Sequence, residues 1–579
     1  MRQIIQLELK KNIMKSIFII VLFAISTNLF AQPKGFINPI IPGGHPDPSI
    51  CRVGDDYYIV NSSFEYFPGL PIHHSKDLVN WELIGYGLHR EDQCTGAVNL
   101  VDVQQNGGIH APTIRYNNGT YYIIVTNVYS PPAGGSGQMV NFIITANNPA
   151  GPWSEPHVID GATGIDPDLF FDDDGKVYFV GTHAVGKPNE NGIGEIWVQE
   201  LDLNQWKLVG ERYSVWRGAC GGCCVEGPHM YKIHGKYYLM VAEGGTSYNH
   251  AVMISASDNV SGPFDSNPRN PILTSRHLSQ NNWVHSTGHA DLVELQDGRW
   301  YIVFLGIRND EEGTSNMGRE THIVPVTWEP STVRWEEVSK GNWQPVEYLW
   351  PVASPETGKV ERYTSLPFPE NPQYYNDAFT DNFDAKDLDH EWNFRRVPLP
   401  GTYFLTANKG FLRLHLNPET FKLRGRYSLI GIRQKESDFD YSAKMLFEPS
   451  KENAEAGISI FQQDDNYVNF TVEKKGKGVN LKLIVKGREK ELEVLKEEII
   501  NKYQGEIIFK LSAKNDTYQY LYSLDGGNTF SLFAETQSNI VLCKGYIGTN
   551  VGIYATSNGK PTKEYADFDW VNYKGYPRY

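Results

Sequence analysis

One phrase occurs five times in the first 350 residues, and it constrains the fold more than any other feature of the chain. It is a turn followed by aromatic and β-branched residues. The copies are Asp55-Asp56-Tyr57-Tyr58-Ile59-Val60, Asn118-Gly119-Thr120-Tyr121-Tyr122-Ile123, Asp174-Gly175-Lys176-Val177-Tyr178-Phe179, His234-Gly235-Lys236-Tyr237-Tyr238-Leu239 and Asp297-Gly298-Arg299-Trp300-Tyr301-Ile302. With Tyr58, Tyr122, Tyr178, Tyr238 and Tyr301 as markers, the steps are 64, 56, 60 and 63 residues. Asn-Gly or Asp-Gly ahead of such a run is a strong hairpin signal, because the turn needs positive φ and the run favours strands. A second phrase closes most units on a turn and an aromatic, as in Asn80-Trp81, Gly151-Pro152-Trp153, Gln205-Trp206 and Gly262-Pro263-Phe264. Each unit therefore carries about four short strands. Five such units stacked radially hide their sheet edges and make a five-bladed β-propeller. A β-sandwich with coincidental spacing is the alternative.

Between Pro351 and Asn376 the pattern gives way to Pro, Glu and Tyr without periodicity, which predicts a linker over 352–376. Strand patterns then resume without the repeat, as in Phe411-Leu412-Arg413-Leu414-His415-Leu416 and Val479-Asn480-Leu481-Lys482-Leu483-Ile484-Val485. Turn signals every few residues predict a β-sandwich over 377–579. The charged run Arg488 to Glu498 reads as a solvated strand pair. The expected fold class is all-β, with the propeller over 32–351. Two domains also suit 579 residues, since single cores rarely grow past roughly 250–300.

The net charge of -15 argues against nucleic acid or an anionic membrane surface and is compatible with neutral sugars. Lys10, Lys11 and Lys15 flank an apolar run from Ser16 to Ile25, and Ala31 precedes Gln32. That order predicts a cleaved secretory signal over 1–31 and an exported, periplasmic or secreted protein. Nothing later in the chain is apolar enough for membrane insertion. Six cysteines remain, with Cys220, Cys223 and Cys224 clustered. No second pair stands at zinc spacing, so the cluster reads as buried thiols or a local disulfide.

Three acids occupy equivalent places in three units. Asp47 lies in His45-Pro46-Asp47-Pro48, Asp166 in Ile165-Asp166-Pro167-Asp168, and Glu226 in Val225-Glu226-Gly227-Pro228. Each precedes the marker Tyr of its unit by 11 or 12 residues. The same slot holds Ala111 in the second unit and Ala290 in the fifth. In a propeller these slots open the innermost strands, so all five should face one axial funnel. A lone Asp-Pro is ordinarily a turn cap; three acids in equivalent slots are not explained that way. Carboxylates converging on an aromatic-rich pocket point to glycoside hydrolysis, in which one acid donates a proton and another stays ionised. A third nearby can raise the donor's pKa through like-charge repulsion. Asp172-Asp173-Asp174-Gly175 reads instead as a solvated hairpin turn.

These motifs resemble glycoside hydrolase family 43. The resemblance rests on Asn38-Pro39-Ile40-Ile41-Pro42-Gly43-Gly44-His45-Pro46-Asp47-Pro48-Ser49, Ser63-Phe64-Glu65-Tyr66-Phe67-Pro68-Gly69, Glu226-Gly227-Pro228-His229 and Ala242-Glu243-Gly244-Gly245-Thr246. They look like the β-xylosidase and α-L-arabinofuranosidase branch. Phe383-Asp384 and Ala566-Asp567-Phe568-Asp569-Trp570 look like the concanavalin-A-like domain that accompanies it. The resemblance implies Asp47 as general base, Glu226 as general acid and Asp166 as the acid's modulator. It implies Phe64 and Arg319 as sugar contacts, and His289 as a central histidine that in relatives sits beside calcium or water. No cofactor is required for the chemistry; a calcium would be structural.

Two departures stand out. His110 replaces a bulky aromatic and reads equally as a sugar contact or a packed histidine, and cysteines precede Glu226. The expected activity is exo-acting, inverting release of terminal β-D-xylosyl or α-L-arabinofuranosyl units from xylan-type plant polysaccharide. The alternatives are a carbohydrate-binding propeller without catalysis, an arabinan-directed hydrolase of the same family, and a retaining β-fructosidase-like enzyme. The last needs a closer carboxylate pair.

Overall fold

The computed structural model describes residues 35–578 apart from 135, 220–222, 310–314, 376 and 544–545. The expected leader over 1–31 and Cys220 lie outside the described residues. Five antiparallel sheets follow one another along the chain. Their first strands are Ser49–Val53, Gly108–Asn117, Asp168–Phe171, Glu226–Ile233 and Val284–Glu294. These five strands neighbour one another in a closed ring, so each is the innermost strand of a blade. Every marker Tyr falls in its blade's second strand. The turns before them contain Gly54, Gly119, Gly175, Gly235 and Gly298, all at φ between 63° and 87°. Such angles carry almost no steric penalty only for glycine, which explains the repeated signal.

The ring is closed by the N-terminal segment. Ile41 bridges Thr321 in blade V. The Asn38 side chain donates to Ile323 O at 3.0 Å and accepts from Ile323 N at 3.0 Å. Gly35–Ile37 pairs with Tyr363–Ser365. The stretch expected to be a linker is therefore stitched to the propeller, with Val360 and Leu366 buried. Its proline-rich composition concealed a three-residue strand.

A polar network plugs the axis, with at least one residue from each blade. Arg115 lies 2.9 Å from Asp168 and 3.0 Å from Asp291. Asp291 also accepts from Ser49 Oγ at 2.7 Å and from Tyr231. The Met230 N–H donates to Asp168 at 2.7 Å. Both carboxylates are fully buried. A buried ion pair is tolerable only when its remaining lone pairs are satisfied, and here the backbone and hydroxyl donors do so.

Residues 378–576 form the sandwich, in two sheets of eight and six strands. The charged run includes the exposed strand Glu493–Ile500, which pairs with Gly478–Lys486. Buried ions join the two domains. Arg395 meets Glu65 of the propeller at 2.7 Å and Asp464 at 3.0 Å, and Arg396 meets Asp464 at 2.7 Å. Phe67 and Phe394 exchange backbone hydrogen bonds of 2.9 and 2.7 Å across the same interface. Among the described residues, no helix is long and apolar enough to cross a membrane.

Candidate active site

Each inner strand begins with a backbone kink. The left-handed residues are Asp47 (φ 51°), Ala111 (40°), Asp166 (57°), Gly227 (58°) and His289 (47°), at or beside the five slots. Non-glycine residues rarely adopt such angles unless their surroundings hold them there. In blades II, IV and V the pairing also slips at this point, as β-bulges that re-aim side chains at the rim. Ser62 ties two kinks together: its hydroxyl donates to Asp47 Oδ2 at 2.6 Å and accepts from Ala111 N at 2.6 Å.

The kinks surround a cavity of about 200 Å³. Asp47, Asp166, Glu226, Phe64, His110, Arg319 and His289 all line it, so the structure brings every sequence-derived candidate together. Phe64 is turned inward at φ 48° and bridged to Ile109 of blade II. The His45 N–H donates to Arg319 O at 3.0 Å, fixing the arginine to the segment that carries Asp47. His110 packs edge-on against Phe64, with centroids 4.7 Å apart, and donates from Nε2 to Asn106 O at 3.1 Å. Its ring is thus both packed and part of the lining.

Sequence reasoning missed three polar lining residues, Thr246, His250 and Tyr546. Thr246 sat within a quoted family phrase, where it carried no assigned role. His250 donates from Nδ1 to Gly245 O at 2.7 Å, and its Nε2 has no partner among the described residues. Tyr546 comes from the sandwich, and no repeat could have signalled it. The Arg319 guanidinium lies over its ring at 4.6 Å, and the Phe64 ring is 5.2 Å away. A bridge between Gly318 and Ile547 holds this wall in place. Gly318 has φ 69°, and a Cβ there would lie 2.4 Å from Gly548 N, so the close approach needs glycine.

Proton affinities in the cavity diverge. Burial raises Glu226 to about 7; Arg319 opposes the rise and Asp47 adds to it. Burial and the charges of Glu226 and Asp47 push Asp166 well up, against a hydrogen bond from the Gly227 N–H and the charge of Arg319. Asp47 is buried too, but His289, Arg319, Ser62 and His110 together hold it below the usual carboxylate value. Burial drives His289 and His110 down to about 4 and His250 to about 3. At neutral pH the imidazoles are uncharged, and Arg319 with the Ser62 hydroxyl keeps Asp47 ionised. The site therefore pairs a carboxylate held ionised, Asp47, with an acid raised to about 7, Glu226, and a third carboxyl pushed upward beside it, and acid–base hydrolysis requires such a division.

The calcium implied beside His289 finds no protein cage. Among the described residues no three His, Cys, Asp or Glu side chains converge as metal ligands. His289 offers nitrogen 3.8 Å from Asp47, whereas calcium takes roughly six to eight oxygens. In the cysteine cluster, Cys223 is exposed and Cys224 half-buried, both as free thiols. The expectation of buried thiols fails for Cys223, whose side chain is exposed.

Residues 36–333 match the family model described as glycosyl hydrolases family 43. Residues 380–574 match the beta xylosidase C-terminal concanavalin A-like domain. The chain belongs to glycoside hydrolase family 43. Two curated relatives match over nearly full length. A xylosidase/arabinosidase of Butyrivibrio fibrisolvens is 40% identical, over 92% of this chain and 98% of that one. A non-reducing end alpha-L-arabinofuranosidase of Bacteroides ovatus is 36% identical, over 94% and 96%. Among solved structures, a xylan beta-1,4-xylosidase from Bacillus halodurans superposes with TM-score 0.80 at 31% identity, covering 93% of this chain and all of that one.

Proposed function

We propose that this family 43 hydrolase acts from the non-reducing end and releases terminal β-D-xylosyl or α-L-arabinofuranosyl units with inversion. The observation that carries the reading is the cavity itself. Three carboxylates with opposed proton demands enter it from three blades, and Tyr546 of the second domain walls one side. A wall there suits a chain end and opposes a polymer threaded through. About 200 Å³ is the liquid volume of roughly seven waters, on the scale of one pentose ring.

In the proposed chemistry, Glu226 gives its proton to the leaving glycosidic oxygen. Ionised Asp47 takes a proton from a water that attacks the anomeric carbon from the opposite face. Burial, with the Asp47 charge adding to it and Arg319 opposing it, keeps Glu226 protonated to about pH 7. Asp166 stands beside the acid and accepts a hydrogen bond from the Gly227 N–H. Arg319, Phe64 and Tyr546 orient the sugar, and the uncharged imidazoles suit a neutral ligand. No step is routed through a metal. The apolar run ahead of Gln32 supports export, where plant polysaccharide would be met.

The test is release of 4-nitrophenol from the β-D-xyloside and α-L-arabinofuranoside, then release of pentose from arabinoxylan. Proton NMR of the first-formed anomer reads the stereochemistry. Absence of hydrolysis on both glycosides, or a retained anomer, contradicts the reading.

A further inference from the structure

The outer hairpin of blade V runs far beyond its sheet. Its third strand, Glu320–Ser339, has 20 residues, against seven to nine in the other four blades. Only Glu320 to Val326 pair with the blade's second strand, so from Thr327 outward the chain forms a two-stranded ribbon with Asn342–Ala353. The tip of this ribbon lies outside both family matches. Register fixes its faces: Trp335 lies opposite Pro345, and Glu337 opposite Trp343. Opposite and alternate residues of an antiparallel pair share a face, so both tryptophans stand on one face with Glu337 and Pro345. The other face carries Arg334, opposite Val346, and leans on blade IV, where Arg334 pairs with Asp265. The tryptophan face is turned outward, with Trp335 60% and Trp343 56% exposed. All 13 tryptophans lie among the described residues, and only these two are exposed. Neither lines the active-site cavity.

From this geometry we infer that the ribbon is a second carbohydrate site, remote from the chemistry, in which Trp335 and Trp343 pack on one neutral xylan-type chain and hold the enzyme to its polymer. The inference rests on the proposed function for the identity of that polymer. Diagonal neighbours across a strand pair stand about 7–8 Å apart, so one extended chain can lie across both rings. An indole presents an apolar face with a single polar N–H at its edge. The C–H face of a sugar ring packs on the first, and its hydroxyls meet the second. Glu337, on the same face, accepts from the Gly341 N–H at 2.6 Å. That bond ties it to the tip turn, and a carboxylate so held has acceptor capacity left for a hydroxyl.

Size and charge decide against other occupants. Two indoles at these exposures offer roughly 300 Å², well short of the ~800 Å² that each partner buries in a stable protein dimer. From Ser331 to Glu347 the ribbon carries Glu336, Glu337 and Glu347 against Arg334 and Lys340, in a chain of net charge -15. Segments drawn to an anionic membrane are instead rich in Lys and Arg. A neutral chain one sugar wide needs neither the area nor the positive charge.

The experiment uses the full chain with Trp335→Ala, Trp343→Ala, both together, and Trp343→Phe. Binding to insoluble arabinoxylan is read by depletion from solution, in a Glu226→Gln background so that the polymer is not consumed. The double variant should bind about tenfold more weakly, the scale of losing tryptophan contacts at a binding centre. Each single alanine variant should fall between, and Trp343→Phe should bind more tightly than Trp343→Ala. With Glu226 intact, the double variant should match the parent in kcat/KM for 4-nitrophenyl β-xyloside. Its release of pentose from the insoluble polymer should fall about threefold, since the polymer is no longer held near the site. Equal binding by parent and double variant would overturn the inference. So would a matching loss on the soluble glycoside, or a dimer of the parent that the double variant dissociates. Tryptophan-dependent binding in a protein that hydrolyses neither glycoside would support this site and sink the proposed hydrolysis instead.

Discussion

Asp166 and Asp168 are separated by one proline, both are buried, and they hold their protons in opposite ways. Asp168 belongs to the axial network, where burial is outweighed by Arg115, His229 and the Met230 N–H, and its pKa is lowered. Asp166 belongs to the cavity, where burial and two like charges raise it. The same contrast separates Asp291 from Glu226: Asp291 is held low despite burial, by Arg115 first among its partners, and Glu226 is raised to about 7. Neither sequence nor depth distinguishes the two sets. The difference is whether a cation and several donors meet the carboxylate. The axial acids are satisfied and hold the blades together. Of the cavity acids, Asp47 is met by Arg319 and Ser62, whereas Asp166 and Glu226 are left short of partners, and that shortage is what their reactivity requires.

Substitutions on either side should therefore behave oppositely. The largest effect is expected for Glu226→Gln, which should cut turnover of a pentoside with a poor leaving group by roughly 10²–10⁴-fold, the usual contribution of general acid catalysis. Steady-state assays on methyl β-xyloside check this. Next comes Asp291→Ala, which leaves Arg115 buried without one of its two anions and should cost about 3–5 kcal/mol of stability. Urea unfolding at pH 7 measures it, and a cost below about 1 kcal/mol would dissolve the contrast.

Smaller and of opposite sign is the stability effect of Glu226→Gln. The folded pKa of Glu226 is raised, so its contribution is fully present below the unfolded value and is lost as pH rises through about 7. The amide removes that loss, and the variant should be more stable than the parent by on the order of 2 kcal/mol at pH 8. The axial carboxylates work the other way. Their folded pKa values are depressed, so their stabilisation is present above the unfolded value of about 3.9 and fades as pH falls below it. Denaturant curves for the parent and for Asp168→Asn should thus converge toward acid pH. Curves that stay parallel from pH 7 to pH 3 would count against the assignment.

Much of this arrangement was legible in the chain. The turn phrases around Tyr58, Tyr122, Tyr178, Tyr238 and Tyr301 located the blades, because hairpins are specified by neighbouring residues. Counting back from those markers placed Asp47, Asp166 and Glu226 in one funnel, since equivalent repeat positions share one place around an axis. What escaped notice depends on contacts between distant segments. Asp168 and Asp291 were visible as acids, but their shared partner Arg115 lies in another blade. Tyr546 closes the cavity from the second domain, held by a bridge to Gly318. The strand Tyr363–Ser365 exists only because Gly35–Ile37 lies beside it. Pairings of this kind leave no local periodicity to read.

The most direct test of the division between satisfied and unsatisfied carboxylates is the pH dependence of kcat/KM for the parent and Glu226→Gln. The substrate should be 2,4-dinitrophenyl β-xyloside, whose leaving group departs without a proton, measured alongside methyl β-xyloside for the parent. The parent should lose activity on the methyl glycoside as pH rises through about 7, where Glu226 gives up its proton. The variant should retain activity on the dinitrophenyl glycoside with that alkaline limb gone. A limb near pH 7 that survives in Glu226→Gln would assign the proton to another group and contradict the account.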